Sequence, residues 1–325
     1  MPGKILVLGA TGHVGAPLVT ELLAAKEQVK AASRHATLLA GAEVVRFDYA
    51  DQGTYQTAFD GVDRVFVLLP SGYTNAVERL QPVIQAAADR KIKVVLQTAI
   101  GVDADEKIPY RQVELFLIRT GLPFVILRPN WFADNFHTFW LNDIKRGVIA
   151  VPAGEGRSSF IDVRDVAASA AAVLMTDRFD NNAFNLTGPE ALSYYDAATV
   201  ISKVADRKLS YTPIDDDTFI HMATRAGLSR DYAVFLTSIF LPVRQGWTAG
   251  VTADVPTLTG NRARSFEHYA IDHAATFAVE SHPTNRSGRR FGICRDDGIV
   301  FVGTRRCLND HLVHPGQFFK FVRLL

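Results

Sequence analysis

The 325-residue sequence predicts an α/β protein, a doubly wound parallel sheet with a smaller α/β region at its C-terminal side. Three observations predict it. Short apolar runs alternate with amphipathic segments from Lys4 to Pro129. Three glycines stand between the first apolar run and the first amphipathic segment. The alternation then loosens after Pro129. Strands and helices alternating at this spacing build βαβ units, and βαβ units build a parallel sheet.

Each element has its own signal. Residues 5–8 are wholly apolar, as expected of a strand covered on both faces. Val14, Leu18, Leu22 and Leu23 then fall on one helical face. Residues 29–33 and 43–47 read as the second and third strands. A short helix over 55–59 stops near Gly61. Residues 64–69 form the fourth strand, closed by Pro70, and a helix follows over 75–89. Residues 94–98, a helix over 110–120 and residues 124–127 complete the first half.

Beyond Pro129, residues 149–151, 159–161 and 183–186 read as short strands. Residues 165–175 and 195–205 read as helices. Asp215, Asp216 and Asp217 open another, with Phe219 and Met222 on its apolar side. The expected division is a dinucleotide-type domain over 1–150, a substrate-side region over 151–280 that completes the sheet and adds helices, and a basic extension over 281–325. That extension carries Arg286, Arg289, Arg290, Arg305 and Arg306. Two apolar runs there flank Asp296-Asp297-Gly298, a hairpin pattern.

Composition narrows the class. Hydrophobic residues make up 48% of the chain and charged residues 21%, and the formal net charge is +1. That balance nominates neither nucleic acid nor a membrane surface as partner. No apolar stretch approaches the roughly 18–20 residues of a membrane helix, and the opening run is too short for a secretory signal. Cys294 and Cys307 are the only cysteines, so the body of the chain has no disulfide framework. A reducing cytoplasm is the expected location.

The motif that carries most chemistry is Gly9-Ala10-Thr11-Gly12-His13-Val14-Gly15, which leaves a strand and opens a helix. Gly9 lets the chain turn off the strand, Gly12 lets backbone N–H groups approach a pyrophosphate, and Gly15 lets the helix pack on the strand. The helix N-terminus then offers unpaired donors to the anion. The motif therefore predicts a Rossmann-type dinucleotide site. An NAD site would place a carboxylate at the end of the second strand. Here Ser33-Arg34-His35 stands there, and a guanidinium grips a 2′-phosphate. NADP(H) is expected in preference to NAD(H).

Four blocks in this order resemble the NmrA-like branch of the atypical short-chain dehydrogenase/reductase family. They are the glycine loop, Leu127-Arg128-Pro129-Asn130-Trp131-Phe132-Ala133-Asp134-Asn135-Phe136, Phe160-Ile161-Asp162-Val163-Arg164-Asp165-Val166-Ala167, and Leu186-Thr187-Gly188-Pro189-Glu190-Ala191-Leu192. The resemblance spans residues 4–277. It implies NADPH cradled by Thr11, Gly12, His13 and Val14, with Arg34 on the adenosine phosphate and Asp48 and Tyr49 near the adenine. It further implies Leu69 and Pro70 along the cofactor. Thr98, Ala99, Pro129 and Asn130 would border the nicotinamide. The tail beyond Ala278 departs from the family, so the resemblance implies no role for it.

The resemblance leaves the catalytic groups open. Typical short-chain dehydrogenases use Ser, Tyr and Lys, with Tyr-x-x-x-Lys on one helix. This chain has Tyr110-Arg111-Gln112-Val113-Glu114, so the spacing survives and the lysine does not. A carboxylate opposes tyrosinate formation. Thr98, Tyr110 and Glu114 are the catalytic candidates. Against them stand a helix-surface placement of Tyr110 and Glu114, and contact of Glu114 with the cofactor carboxamide. Trp131, Phe132, Phe136, Phe139 and Trp140 offer a flat apolar slot for a conjugated acceptor, or else form ordinary core.

Other motifs carry less. Cys294, Cys307, His311 and His314 lack the paired spacing of a structural zinc site, and no metal is expected. Asp162 and Asp165 are expected to cap the following helix and pair with Arg164. The expected function is an NADPH-dependent oxidoreductase that passes hydride to a quinone or similar conjugated carbonyl. The alternative is a non-catalytic NADP(H)-binding redox sensor of the NmrA type. A third reading is a reductase or isomerase of a biosynthetic pathway. A small-molecule substrate, a homodimer and a regulatory protein are the partners these readings admit.

Overall fold

The computed structural model describes residues 3–36, 39–70 and 72–278. The predicted tail hairpin and the Cys294, Cys307, His311 and His314 set lie outside the described residues.

Seven strands form one sheet in the order β3-β2-β1-β4-β5-β6-β9. They are β1 (Lys4–Leu8), β2 (Val29–Ser33), β3 (Glu43–Arg46), β4 (Val62–Val67), β5 (Lys93–Gln97), β6 (Phe124–Pro129) and β9 (Asn182–Leu186). Every neighbouring pair is parallel. Ile5, Leu6, Val7 and Leu8 are fully buried, which is why the first run shows no alternation. Ile5 and Val7 enter the core on one face, Leu6 and Leu8 the core on the other. The winding runs outward from β1 through β2 to β3, then returns to place β4 on the opposite side of β1. That reversal opens a crevice past the C-terminal ends of β1 and β4, where doubly wound sheets bind ligands.

Helices cover both faces. α1 (Gly15–Ala24), α6 (Val163–Leu174) and α10 (Asp254–Thr259) close one side. α2 (Tyr55–Phe59), α3 (Ala76–Ala88) and α4 (Pro109–Arg119) close the other. Leu18 and Leu22 of α1 are fully buried, each stabilising the fold by roughly 1.5–3 kcal/mol. α4 opens on Pro109, whose missing N–H costs nothing at a helix start.

A third core lies beyond β6. It is walled by α5 (Leu141–Lys145), α7 (Tyr194–Val204), α8 (Asp216–Arg225), α9 (Arg230–Arg244), α11 (Phe266–Asp272) and α12 (Ala274–Phe277). β7 (Val148–Val151) pairs with β11 (Ser210–Pro213) in parallel, and β8 (Arg157–Ser158) pairs with β10 (Leu192–Ser193) antiparallel.

Three sequence readings need correction or refinement here. The strand expected over 159–161 is the two-residue β8 just before it, and Ile161 makes only a single bridge to Phe132. Met222 is 39% exposed, on the solvent side of α8 and not on its apolar side. Asp162 caps α6 and pairs with Arg164 as expected, but Asp165 pairs with Arg264 instead. β9 joins the first sheet and α6 and α10 pack against it, although all three lie beyond residue 150.

The packing of α1 on β1 yields a test. A Cβ on Gly15 would stand 2.2 Å from the Gly9 carbonyl oxygen, a backbone atom that cannot step aside. Gly15→Ala is expected to lower stability by about 1–3 kcal/mol. Urea unfolding followed by circular dichroism checks it, and an unchanged midpoint would contradict the contact.

Candidate active site

The glycine loop crowns β1. Gly9 has φ +69°, a left-handed turn that an L side chain rarely adopts. The Gly12 N–H donates to the Gly9 carbonyl at 2.9 Å, and the Ala16 N–H donates to the Gly12 carbonyl at 2.9 Å. Helical hydrogen bonding therefore begins inside the loop. Thr11 and Gly12 are exposed at its crest while Val14 is buried beneath. The N–H groups of Thr11, His13 and Val14 find no acceptor among the described residues. Unpaired donors at a helix start, above a cradle with no Cβ in it, fit a pyrophosphate.

The rim continues along the sheet. Ser33 ends β2 half-buried, and Arg34 is exposed, with no ion pair among the described residues. Asp48 turns its Oδ1 to the Ala50 N–H at 2.9 Å. The Tyr49 hydroxyl donates to the Leu68 carbonyl at 2.6 Å, tying the end of β3 to the end of β4. Leu69, Pro70 and Ala99 are half-buried along the same edge.

Glu114 is neither on a helix surface nor turned outward. It is fully buried. Its Oε1 accepts from the Thr98 hydroxyl at 2.7 Å and from Arg128 Nε at 2.9 Å. Its Oε2 accepts from Arg128 at 2.7 Å and from Arg111 at 2.9 Å. Arg128 also reaches Asp103 at 2.5 Å. The carboxylate is saturated, so Glu114 has no free oxygen for proton transfer, and the Thr98 hydroxyl is committed to it. Tyr110 makes no side-chain hydrogen bond among the described residues, and burial, with Tyr232 nearby, pushes its phenol well above the ordinary value. That direction opposes acid–base work near neutrality.

The segment after β6 divides in two. Pro129 and Asn130 are buried. Asn130 Nδ2 donates to Ser159 Oγ and to the Thr248 carbonyl, both at 2.7 Å, and its Oδ1 accepts from the Trp131 N–H at 2.8 Å. Its amide thus pins β6 to the second region and has nothing left for a cofactor. Phe136 is fully buried, packed edge-on against Trp140, Phe160 and Phe266. It is core, not slot, a correction to the sequence expectation. Trp140 is nearly as buried but borders a small cavity. Phe132 packs, half-buried, against the core under α1 and α6. Trp131 lies 6.2 Å from Trp140 and 4.7 Å from Phe240, ring centre to ring centre. The cavity, about 10 Å³, is lined by Trp131, Asn135, Trp140, Phe219, Leu236 and Phe240 among others. The walls from α8 and α9 were not legible in the sequence, because nothing local links them to β6.

A histidine cluster includes His13 of the glycine loop, whose ring centre lies 6.5 Å from that of His137. His13 Nε2 is buried without a partner, and burial holds the imidazole below its ordinary value. His137 is held down to about 4 by burial, with His273 and His13 adding to the effect. Asp134 is pushed up to about 7 by burial, although its carboxylate accepts the Val163 N–H at 3.1 Å. Asp134, His137 and His273 place donor atoms within 4.8 Å of one another. The His137 and His273 rings stack at 4.0 Å and 11°, however. In-plane lone pairs of parallel rings do not converge on one ion, so this is an imidazole stack and not a chelate.

The sequence profile of the NmrA-like family matches residues 1–241. The chain belongs to the NmrA-like family. It is 31% identical over 289 residues to the NAD(P)H azoreductase of Xenophilus azovorans, covering 85% of this chain and 99% of the relative. It is 30% identical over 276 residues to the Prestalk A differentiation protein A of Dictyostelium discoideum, covering 82% and 91%. The triphenylmethane reductase of Citrobacter sp., solved in complex with NADP(H), superposes with a TM-score of 0.74 at 24% identity, covering 83% and 99%. Among the described residues, no helix is long and apolar enough to cross a membrane.

The Glu114 node sets the test for this site. Glu114→Ala leaves Arg128 buried with its main partner gone. A loss of about 3–5 kcal/mol is expected, measured by chemical denaturation. A loss below about 1 kcal/mol would mean that water replaces the carboxylate at no cost.

Proposed function

We propose that this NAD(P)H-dependent oxidoreductase uses NADPH in preference to NADH and passes hydride to a quinone or a similar flat conjugated carbonyl compound. The observation that carries the reading is the glycine loop, whose N–H groups lack acceptors among the described residues and which leaves β1 where the strand order reverses. Thr11, Gly12, His13 and Val14 would hold the pyrophosphate through the backbone. Arg34, exposed and without an ion-pair partner among the described residues, would grip the 2′-phosphate. Asp48, Tyr49, Leu69 and Pro70 would flank the adenosine half, with Thr98, Ala99 and Pro129 along the nicotinamide half. Asn130 would act there only by fixing the backbone.

Bound NADPH supplies the hydride. The chain's own contribution is to hold donor and acceptor face to face and to keep water from between them. Trp131 and Phe132 are the half-buried aromatics nearest the end of β6 and would form the acceptor's platform. No side chain in the Thr98, Tyr110 and Glu114 set is free to work as an acid near neutral pH, so the proton on the reduced acceptor would come from water. The azoreductase and triphenylmethane reductase names support an extended conjugated acceptor. Glu114 in place of the lysine also favours a second reading, a sensor that binds the cofactor and turns nothing over.

Loss of reduced-nicotinamide absorbance with a panel of quinones separates the two. Acceptor-dependent oxidation, faster with NADPH than with NADH, is expected. Arg34→Asp should weaken NADPH binding far more than NADH binding. Saturable cofactor binding without turnover by any acceptor would favour the sensor. Equal loss of both cofactors in the variant would refute the NADP preference.

A further inference from the structure

His13 is the only residue from Gly9 to Gly15 whose side chain can carry a charge. Its backbone N–H finds no acceptor among the described residues. Its ring is half-buried, and Nε2 is buried without a partner. Buried polar groups in folded proteins nearly always have partners. The ring stands edge-on to His137, centre to centre 6.5 Å and at 78°. His137 in turn stacks on His273 at 4.0 Å and shares a hydrogen bond of 2.7 Å with the Tyr269 hydroxyl. The backbone N–H and the imidazole belong to one residue. An anion held by the first therefore stands within about 6–8 Å of the second. That is inside the screening length of about 8 Å at physiological salt.

We propose that the His13 ring is the proton-linked part of the cofactor site: neutral in the free protein, it takes a proton from solvent when a dinucleotide pyrophosphate settles on its backbone N–H. The inference rests on the cofactor half of the functional reading above and adds the cation that answers the pyrophosphate. The rest of the loop offers only dipoles there. Burial keeps the free ring neutral, and two phosphate charges favour the imidazolium. The groups packed around the ring leave room for that charge. His137 is neutral, held down to about 4 by burial, with His273 and His13 adding to the effect. His273 is held below its ordinary value by burial and then by Arg164. Burial keeps the Tyr269 phenol protonated. Arg164 is paired with Asp162 and Asp272, and His268 lies 3.5 Å from Asp272. Asp134, pushed up to about 7 by burial, loses its charge as pH falls and so does not hold a proton on the free ring. The ring's proton affinity is thus low without cofactor and higher with it. Cofactor affinity therefore rises as pH falls through the pKa of the bound state, and levels off below that of the free state.

The test is calorimetric titration of the full chain with NADP⁺ and with NAD⁺ between pH 6 and pH 8, in two buffers of different ionisation enthalpy. The buffer pair reads the protons taken up. NAD⁺ lacks the 2′-phosphate, which titrates in the same range. For NADP⁺ the His13→Gln variant subtracts that group's contribution. The wild-type chain should take up part of a proton with either ligand and bind NAD⁺ at least about threefold more tightly at pH 6 than at pH 8. In His13→Gln the NAD⁺ affinity should stay level to within about 1.5-fold, with saturable binding retained through the backbone. His273→Gln, outside the loop, should keep the wild-type dependence. Should His13→Gln fail to fold, His13→Phe keeps a ring without the charge and decides. Saturable binding without proton uptake, a dependence that survives in the folded His13 variant, or one lost in His273→Gln would overturn the proposal and leave the functional reading standing. No saturable binding of either dinucleotide would refute the functional reading and this proposal with it. Proton-linked binding without turnover of any quinone would uphold the proposal and refute the reductase.

Discussion

The close approach of the first turn of α1 to the Gly9 carbonyl is the constraint on which the rest depends. It requires residue 15 to have no side chain, and it fixes the angle at which α1 leaves β1. With that angle set, Leu18 and Leu22 drop into the core between the sheet and α6. The unpaired N–H groups of the loop are left past the end of β1, where the strand order reverses. Packing and the proposed anion recognition would thus rest on the same few backbone atoms. A change that relieves the one disturbs the other.

The Glu114 node is the second organising feature. In a typical short-chain dehydrogenase that helix position carries a cation that serves a tyrosine. Here it carries a carboxylate that clamps Thr98 at the end of β5 to Arg128 on β6. The Glu114 node makes a rigid floor under the strand ends where a Tyr-x-x-x-Lys pair would otherwise stand. Such a site suits a reaction in which positioning supplies most of the rate and the acceptor is electron-poor enough to take hydride without prior protonation. The aromatic segment beyond β6 is consistent with that division of labour, although Phe136 and most of Trp140 serve the core.

The first half of the fold was legible because its signals are local. Each parallel strand is a short apolar run, each helix has one apolar face, and the glycine loop declares its own geometry. β2 (Val29–Ser33) and α2 (Tyr55–Phe59) stand where periodicity alone places them. The second half was harder for a physical reason. α9 buries Leu236 and Phe240 yet exposes Val234, Phe235 and Leu241, so its apolar face is blurred. β8 and β10 are two residues each, too short for any period. That this half would complete the sheet was expected, but the pairing of β9 with β6 and the packing of α6 on α1 are long-range facts that no window of sequence contains. The same applies to the site. The cofactor rim follows strand ends and could be expected from them, whereas the partners of Glu114 and the walls of the aromatic slot meet only through tertiary packing.

The most direct measurement is a single turnover. Purified protein holding one equivalent of NADPH is mixed rapidly with excess quinone, and the nicotinamide absorbance is followed with protium or deuterium at the transferred position. Hydride transfer within the crevice predicts oxidation well above the rate in buffer, slowed by deuterium at one face of the nicotinamide only. Bound NADPH that stays reduced for as long as it does in buffer would contradict the account.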